Sequence, residues 1–252
     1  MDIKGVYFDL YGTLMIYGDM VRAWEDWFSA IHECLAKHGF DNSKNFLSQK
    51  LNGFFEKSSP EGDCELTIYE RMMQNLTNGL GLNLNKEEIN ETCLAGLHAW
   101  HEYVSLDPDA IPVLKTLKQS KKIALISNFD YPPHVRSLLS DLGLTGYFES
   151  IVISGEIGIK KPDPRIFSFA LKDTGLKPEE VAYVGDSQED VQGARAANIY
   201  PILIQRNKED QKIINDYNTE TLYVEENPEN KLFRNVKRIL KLTELFEIFQ
   251  EF

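Results

Sequence analysis

The chain has 252 residues, 42% of them hydrophobic and 26% charged, a composition typical of globular proteins and unlike that of disordered, collagen-like or disulfide-rich chains. Its formal net charge of -12 makes nucleic acid an unfavourable partner, because both surfaces are negative. The sequence shows no signal-peptide pattern and no apolar run near the roughly 18 residues that a membrane span needs. We therefore expect a cytoplasmic location and no nucleic-acid or membrane partner, while the oligomeric state is left open.

The first predicted element is a strand at residues 3–10, IKGVYFDL, a short apolar run without polar alternation, as in a parallel strand covered on both faces. From residue 16 to 105 apolar residues recur at helical spacing and strand signals are scarce, which predicts a helical insertion. We interpret three of its aromatic residues as core rather than pocket lining: Trp24, Trp27 and Phe28. The three cysteines also lie there, without a CxxC motif, and are expected to be buried or free thiols: Cys34, Cys64 and Cys93.

Strands and helices alternate after Asp107-Pro108, which predicts a doubly wound α/β fold, a parallel sheet with helices on both faces. The predicted domains are an α/β core of residues 1–15 and 106–252 and a smaller helical domain of residues 16–105. Ligands of such sheets bind beyond the carboxyl ends of the strands. The predicted strands are 122–129, 148–155, 181–187 and 200–205, and the predicted helices are near 109–120, 132–142, 164–174, 188–197 and 233–250.

Two polar motifs end the first two predicted strands of the core. In the first, DLYGTL, Asp9 ends an apolar strand and Gly12 permits a tight turn. In the second, Ser127-Asn128 offers a hydroxyl and an amide that could bind an anionic oxygen. Each motif by itself is equally compatible with capping of a turn or of a helix.

Two further motifs follow later in the chain. Lys161 lies in IGIKKPDPRIF, where prolines stiffen the turn before a helix, although an isolated lysine is usually solvated. In GDSQED, Asp186 and Asp190 are spaced i and i+4, which predicts that they share one face. Carboxylates gathered beside Asp9 would suit Mg²⁺, a cation that prefers oxygen ligands, whereas helix capping is the alternative explanation.

Taken together, FDLYGTL, LISN, the KPDPRIF around Lys161 and GDSQED resemble, in order and across residues 3–198, the pattern of the haloacid dehalogenase-like (HAD) hydrolase superfamily. The resemblance implies a Rossmann-like core in which Asp9 attacks the substrate and forms a covalent aspartyl intermediate. It also implies that residues 16–105 form a cap over a small-molecule substrate.

The resemblance assigns a role to each of the other motif residues. Lys161 is the second catalytic residue, which holds Asp9 ionised and neutralises developing charge. Mg²⁺ is the implied cofactor, held by Asp9, Asp186 and the backbone carbonyl of Tyr11, with Asp190 supporting the site. The implied substrate-binding residues are Tyr11, Thr13, Ser127 and Asn128.

The sequence departs from the phosphatase pattern at Tyr11, where HAD phosphatases carry a second Asp that serves as general acid and base. A phenol with an ordinary pKa near 10 is a poor general base at neutral pH, and losing such help typically costs about 10²–10⁴-fold in rate. Tyr at this position resembles the L-2-haloacid dehalogenases, whose halide leaves without a proton. Those enzymes use no metal and lack the acidic residue that this chain keeps at Asp186.

Three functions therefore stay open at this stage. The prediction favoured by Asp186 is Mg²⁺-dependent hydrolysis of a small phosphorylated metabolite. The first alternative, favoured by Tyr11, is hydrolysis of a carbon–halogen bond. The second alternative is a non-catalytic binding protein with the same fold, because fold alone does not specify activity.

Overall fold

A computed structural model of the protein describes residues 2–55, 65–206 and 236–250. The chain divides into two compact units, one formed by Met1–Gly18 with Ser105–Phe252 and the other by Asp19–Val104. The predicted boundary between residues 15 and 16 lies three residues before the one in the structure. The predicted boundary between residues 105 and 106 lies one residue after the one in the structure. Cys64 and residues 233–235 of the predicted last helix lie outside the described residues.

The described helices and strands follow one another in an order that interrupts the sheet after its first strand. They are β1 (Gly5–Phe8), β2 (Met15–Tyr17), α1 (Met20–Lys37), α2 (Lys44–Leu51), α3 (Ile68–Gly79), α4 (Lys86–His101), β3 (Val104–Leu106), α5 (Ala110–Leu117), β4 (Lys122–Ser127), α6 (Pro132–Asp141), β5 (Ser150–Ile153), α7 (Ser154–Ile157), α8 (Arg165–Thr174), β6 (Val181–Gly185), α9 (Gln188–Ala196), β7 (Tyr200–Ile204), β8 (Lys237–Ile239) and α10 (Leu245–Gln250).

The larger unit is built on a six-stranded sheet in the order β5-β4-β1-β6-β7-β8, and each neighbouring pair is parallel. All four residues of β1 are buried, as the unbroken apolar run predicted. α8 packs on β4 and β5, and α9 packs on β6 and β7. The predicted doubly wound α/β fold is confirmed, and β1 lies between β4 and β6 near the middle of the sheet.

The predicted helix over 233–250 is wrong in its first half. Residues 237–239 form β8, which pairs with β7 in the register Ile202↔Lys237, and the helix α10 begins only at Leu245. The apolar residues of this tail have helical spacing, but β7 would otherwise leave a row of unpaired N–H and C=O groups at the sheet edge. Pairing with that edge is a tertiary effect, and the local sequence pattern does not contain it.

The smaller unit contains the helices α1 to α4, so the insertion is helical as the spacing of its apolar residues indicated. Trp27 is buried, and its indole N–H donates to the Tyr69 hydroxyl at 3.0 Å, whereas Trp24 and Phe28 are half-buried. Cys34 and Cys93 are buried free thiols. In the part of the chain that the structure describes, no helix is both long and apolar enough to cross a bilayer.

Candidate active site

Asp9 and Asp186 directly follow β1 and β6, which are neighbours in the sheet. The register sets Phe8 against Val184, and the Asp9 amide donates to the Val184 carbonyl at 2.9 Å. The carboxyl ends of parallel strands lie at the same end of the sheet, so the two side chains meet there. Carboxylate oxygens of Asp9, Asp186 and Asp190 lie within 4.8 Å of one another.

Asp186 and Asp190 are not a pair on one helix, as their spacing predicted. α9 begins at Gln188, and Ser187 is its N-cap, so Asp186 belongs to the strand-to-helix turn. Asp190 and Ser187 form a capping box, in which the Ser187 hydroxyl accepts from the Asp190 amide at 3.2 Å and Asp190 Oδ2 accepts from the Ser187 amide at 3.0 Å. The prediction of a shared helix face is therefore wrong, although carboxyl oxygens of the two residues still lie within 4.8 Å of each other.

Lys161 is buried, with 4% of its surface exposed, and its ammonium group joins two of these carboxylates. Nζ donates to Asp9 Oδ1 at 2.5 Å and to Asp190 Oδ1 at 2.7 Å. It also lies 2.9 Å from the Tyr183 hydroxyl and 3.2 Å from the Ile126 carbonyl. Burial alone would lower the pKa of Lys161, but Asp190 and Asp9 raise it well above its ordinary value, so the side chain stays a cation.

Asn128 fixes the backbone that carries Lys161. Its amide oxygen accepts from the Lys161 N–H at 2.9 Å, and its amide nitrogen donates to the Lys161 carbonyl at 3.0 Å and to Glu189 Oε2 at 3.1 Å. Both N–H donors of the Asn128 side chain are thus used inside the protein. The geometry shows Asn128 holding the lysine in place, and its role in substrate binding stays a prediction.

Asp190 is surrounded by hydrogen-bond donors. Oδ1 accepts from Lys161 Nζ and from the Tyr183 hydroxyl at 3.0 Å, and Oδ2 accepts from the Ser187 amide and from the Ser187 hydroxyl at 2.7 Å. Burial alone would raise the pKa of Asp190, but Lys161 and the donors of Ser187 hold it below its ordinary value. This carboxylate is the counter-ion of Lys161 and is engaged on both oxygens, which fits the supporting place that the resemblance gives it.

Asp9 and Asp186 have the opposite electrostatic character. Burial raises the pKa of Asp9 to about 7 although Lys161 acts against it, and burial together with Asp190 and Asp9 raises the pKa of Asp186 well above its ordinary value. Protein groups alone therefore do not balance these two negative charges. A hard divalent cation with oxygen ligands fits this pair, because it would compensate the charge that burial and mutual repulsion make costly.

The turn after Asp9 approaches this acidic pair closely. Gly12 has a φ of 87°, a left-handed conformation that favours glycine, and a Cβ built on it would lie 2.1 Å from an Asp186 carboxylate oxygen. Any side chain at this position would displace Asp186. The glycine that the sequence suggested for a tight turn is thus required for the approach of two strand ends as well.

Tyr11 turns its ring onto Phe129, with the ring centroids 5.0 Å apart and the planes at 25°. Burial, and then the charge of Asp9, raise the pKa of the Tyr11 phenol above its ordinary value. The phenol is therefore protonated at neutral pH. It does not replace the general base that the phosphatase pattern carries at this position.

Thr13 and Ser127 are buried at the same end of the sheet as Asp9. Among the described residues, no partner hydrogen-bonds to the Thr13 hydroxyl, although the side chain is fully buried. Ser127 is the last residue of β4, the strand that pairs with β1. Their places are compatible with the role in substrate binding that the resemblance implies, and that role stays a prediction.

Two residues that complete this site were not predicted from the sequence. The Tyr183 hydroxyl contacts Lys161, Asp190 and the Ile126 carbonyl, and Arg206 donates to the backbone of the turn after Asp9. Neither residue belongs to a motif. Their part in the site depends on strands that are distant in sequence, so no local signal could have found them.

A second group of metal-binding residue types lies in the smaller unit: Cys34, His38 and Glu91. His38 faces two carboxylates, Glu88 at 3.5 Å and Glu91 at 3.6 Å, and the Cys34 thiol lies 3.4 Å from the Thr92 hydroxyl. Partly exposed ion pairs and a hydrogen bond account for this arrangement.

A known protein family matches the part of the chain that contains these residues. Residues 3–198 match the family of haloacid dehalogenase-like hydrolases. The chain belongs to this family. The matched range contains Asp9, Ser127, Lys161 and Asp186, so the resemblance seen in the motifs is confirmed at the level of the family.

Relatives of this HAD-like hydrolase include enzymes of both chemical types. The chain is 46% identical over 85 residues to a phosphoserine phosphatase of Thermus thermophilus, a match that covers 33% of this chain and about a third (34%) of that enzyme's length. It is 27% identical over 210 residues to (S)-2-haloacid dehalogenase 1 of Pseudomonas sp. (strain CBS-3), covering 81% of this chain and 85% of that one. The fold is similar to that of a 2-haloacid dehalogenase of Pseudomonas syringae, with a TM-score of 0.65 and 22% identity, covering 99% of each chain.

Proposed function

We propose that this HAD-like hydrolase removes phosphate from a small phosphorylated metabolite in a Mg²⁺-dependent reaction, with Asp9 as the nucleophile. The observation that carries the proposal is the carboxylate of Asp186 beside Asp9, with oxygens of both inside the same 4.8 Å group. A second, half-buried carboxylate next to an attacking carboxylate is costly unless a cation compensates it. Displacement of a halide by Asp9 gives no reason to keep such a pair.

The proposed reaction has two steps. The Asp9 carboxylate attacks phosphorus, and the bond from phosphorus to the ester oxygen breaks, so that this oxygen leaves with the bonding electrons, takes a proton from solvent and an aspartyl phosphate forms. Water then attacks phosphorus and gives up a proton to solvent, the bond from phosphorus to Asp9 breaks, and inorganic phosphate and the Asp9 carboxylate result. Lys161 orients Asp9 through Oδ1, and its positive charge offsets the negative charge that develops beside it.

The residues that would hold Mg²⁺ are Asp9 and Asp186, with the Tyr11 carbonyl as the third ligand that the resemblance implies. Asp190 has both oxygens occupied by Lys161, Tyr183 and Ser187, so we assign it no ligand bond. Bound Mg²⁺ would supply positive charge to the phosphoryl oxygens and to the two carboxylates.

The protonated, stacked phenol of Tyr11 leaves this site without the usual proton donor and acceptor. We therefore expect substrates with good leaving groups, such as p-nitrophenyl phosphate, to be hydrolysed far faster than alkyl phosphates.

The test of the nucleophile uses p-nitrophenyl phosphate with Mg²⁺, because this leaving group needs little protonation. We expect Asp9→Asn to abolish turnover, since an amide is a poor nucleophile, and Asp41→Asn, an exposed change in the smaller unit, to leave it unaltered. Phosphate release measured for the three proteins decides the point. Turnover that survives in Asp9→Asn would refute the assignment.

Dehalogenation is the second candidate, supported by Tyr11 in the first motif and by the similarity to a haloacid dehalogenase along 81% of the chain. Halide release from 2-chloropropionate, measured with and without a chelator, distinguishes it from the phosphatase. Chelator-resistant halide release without phosphate release would replace the first proposal by the second. Binding of either substrate without turnover would favour a non-catalytic role.

A further inference from the structure

We propose that Arg206 and Asp107 form a clamp that holds the nucleophile loop, residues 10–15, in its working position. Both are positioning residues, and their effect on turnover rests on the function proposed above. Neither residue lies in a motif of the first strand, and the two are far apart in sequence. The clamp exists because the loop, the start of α5 and the end of β7 meet at one place in the larger unit.

The guanidinium of Arg206 contacts three groups at once. Nη1 donates to the Gly12 carbonyl, and Nη2 donates to the Thr13 carbonyl at 2.6 Å and to Asp107 Oδ2 at 2.5 Å. Two successive carbonyls are thus held by one planar, rigid group. A lysine ammonium lacks that fork and could not hold both carbonyls in the same geometry.

Asp107 is buried and is itself attached to the loop. Its amide donates to the Leu14 carbonyl at 2.9 Å, and its Oδ1 accepts from the Asp109 amide at 2.8 Å. The carbonyls of three consecutive residues, Gly12 to Leu14, are therefore bound by the Arg206 and Asp107 pair. Buried carbonyls need partners, and here the partners come from outside the loop.

The clamp matters for chemistry because the loop that it holds also contacts Asp186. Gly12 packs so closely on Asp186 that a single added carbon would overlap it at 2.1 Å. The bond from Arg206 to the Gly12 carbonyl and the packing of Gly12 on Asp186 together fix the position of the loop that follows Asp9. Misplacing a reacting group by about 1 Å costs on the order of 10²-fold in rate.

The test compares Arg206→Lys with the matched control Arg238→Lys. Arg238 lies on the adjacent strand β8 and donates to Gln205 Oε1 at 3.1 Å. For p-nitrophenyl phosphate we expect Arg206→Lys to lower kcat by about 10- to 100-fold with little change in KM, and to raise the Mg²⁺ concentration needed for half-maximal activity. We expect Arg238→Lys to retain native values of all three.

Hydrogen exchange provides a second measurement that is independent of activity. We expect the amides of residues 12–15 to exchange faster in Arg206→Lys than in the native protein and in Arg238→Lys, because the loop loses two of its external bonds. If the native protein hydrolyses no phosphate ester, the proposed function is refuted. The hydrogen-exchange measurement then still tests whether Arg206 holds the loop. Native exchange in the loop of Arg206→Lys would overturn the clamp.

Asp107→Asn keeps the shape of the side chain and weakens only the ion pair, so it serves if Arg206→Lys folds poorly. We expect it to lower kcat less than Arg206→Lys does, and the double variant to be no worse than Arg206→Lys alone, because both act through one structure. Strictly additive losses, or equal loss in Arg238→Lys, would refute the proposal.

Discussion

At the scale of single residues, the site separates its carboxylates by what surrounds them. Asp190 is neutralised by Lys161 and by the donors of Ser187, whereas burial raises the pKa of Asp9 and Asp186. Lys161 donates to both Asp9 and Asp190, but only the pKa of Asp190 is held below its ordinary value. The unbalanced pair is where the proposed Mg²⁺ would bind, and the balanced acid keeps the lysine charged and directed at Asp9.

We expect Tyr11 to limit which leaving groups the site can release. We expect Tyr11→Asp to raise turnover of an alkyl phosphate relative to p-nitrophenyl phosphate by about 10²-fold or more, because it introduces a proton donor and acceptor. The ratio of the two rates in one protein is the quantity to measure, since a loss of folded protein cancels from it.

Tyr11→Asn is the matched control, because an amide of similar size to Asp cannot transfer the proton. We expect it to leave the ratio of rates near the native value. An unchanged ratio in Tyr11→Asp would mean that the native tyrosine does not limit the release of alcohols.

At the scale of elements, the start of α9 joins secondary structure to the site. The Ser187 hydroxyl caps the helix by accepting from the Asp190 amide and also donates to Asp190 Oδ2 at 2.7 Å. The same Ser187 hydroxyl therefore caps the helix and orients Asp190, the counter-ion of Lys161. Helix α2 has an N-cap of the same kind in Ser43, which accepts from Phe46 at 3.3 Å but lies in the smaller unit.

We expect Ser187→Ala and Ser43→Ala each to lower the free energy of unfolding by about 0.5–2 kcal/mol, because each loses an N-cap. Only Ser187→Ala should also reduce kcat, since it frees one oxygen of Asp190 from its hydroxyl donor. Urea unfolding and p-nitrophenyl phosphate turnover are the two measurements. Equal kcat values in the two variants would show that the cap does not act on the site.

At the scale of the whole molecule, the site costs stability when no cation is bound. The raised pKa of Asp9, about 7, and of Asp186 means that the folded protein binds more protons than the unfolded chain between about pH 4 and that value. Where the folded state binds more protons, stability falls as pH rises. These two residues therefore destabilise the fold more at neutral pH than at acidic pH.

We expect Mg²⁺ to raise the Tm of the native protein, and to raise it more at about pH 7 than at about pH 5, where the cation must displace protons from the carboxyls. Asp186→Asn should remove one half-buried charge beside Asp9, raise the Tm measured in a chelator and abolish the effect of Mg²⁺. Thermal unfolding followed by circular dichroism checks this. A Tm insensitive to Mg²⁺ at both pH values would contradict a site at Asp9 and Asp186.

The sequence by itself determined the fold class and the family, because strand runs and helix periods are local patterns and the motif residues follow one another in a fixed order: Asp9, Ser127, Lys161 and Asp186. It failed where an element depends on a distant edge, as at β8, and where a turn was mistaken for a helix face, as at Asp186.

Only the tertiary structure decided what each motif residue touches. Asn128 hydrogen-bonds to the backbone of Lys161, and both oxygens of Asp190 accept hydrogen bonds. Arg206, which follows β7, donates to the backbone of the loop after Asp9. Hydrogen bonds of this kind join residues that are close only after the parallel strands have aligned their carboxyl ends. The chemistry of a residue can therefore be inferred from its type and motif, whereas its partners depend on the packing of the whole sheet.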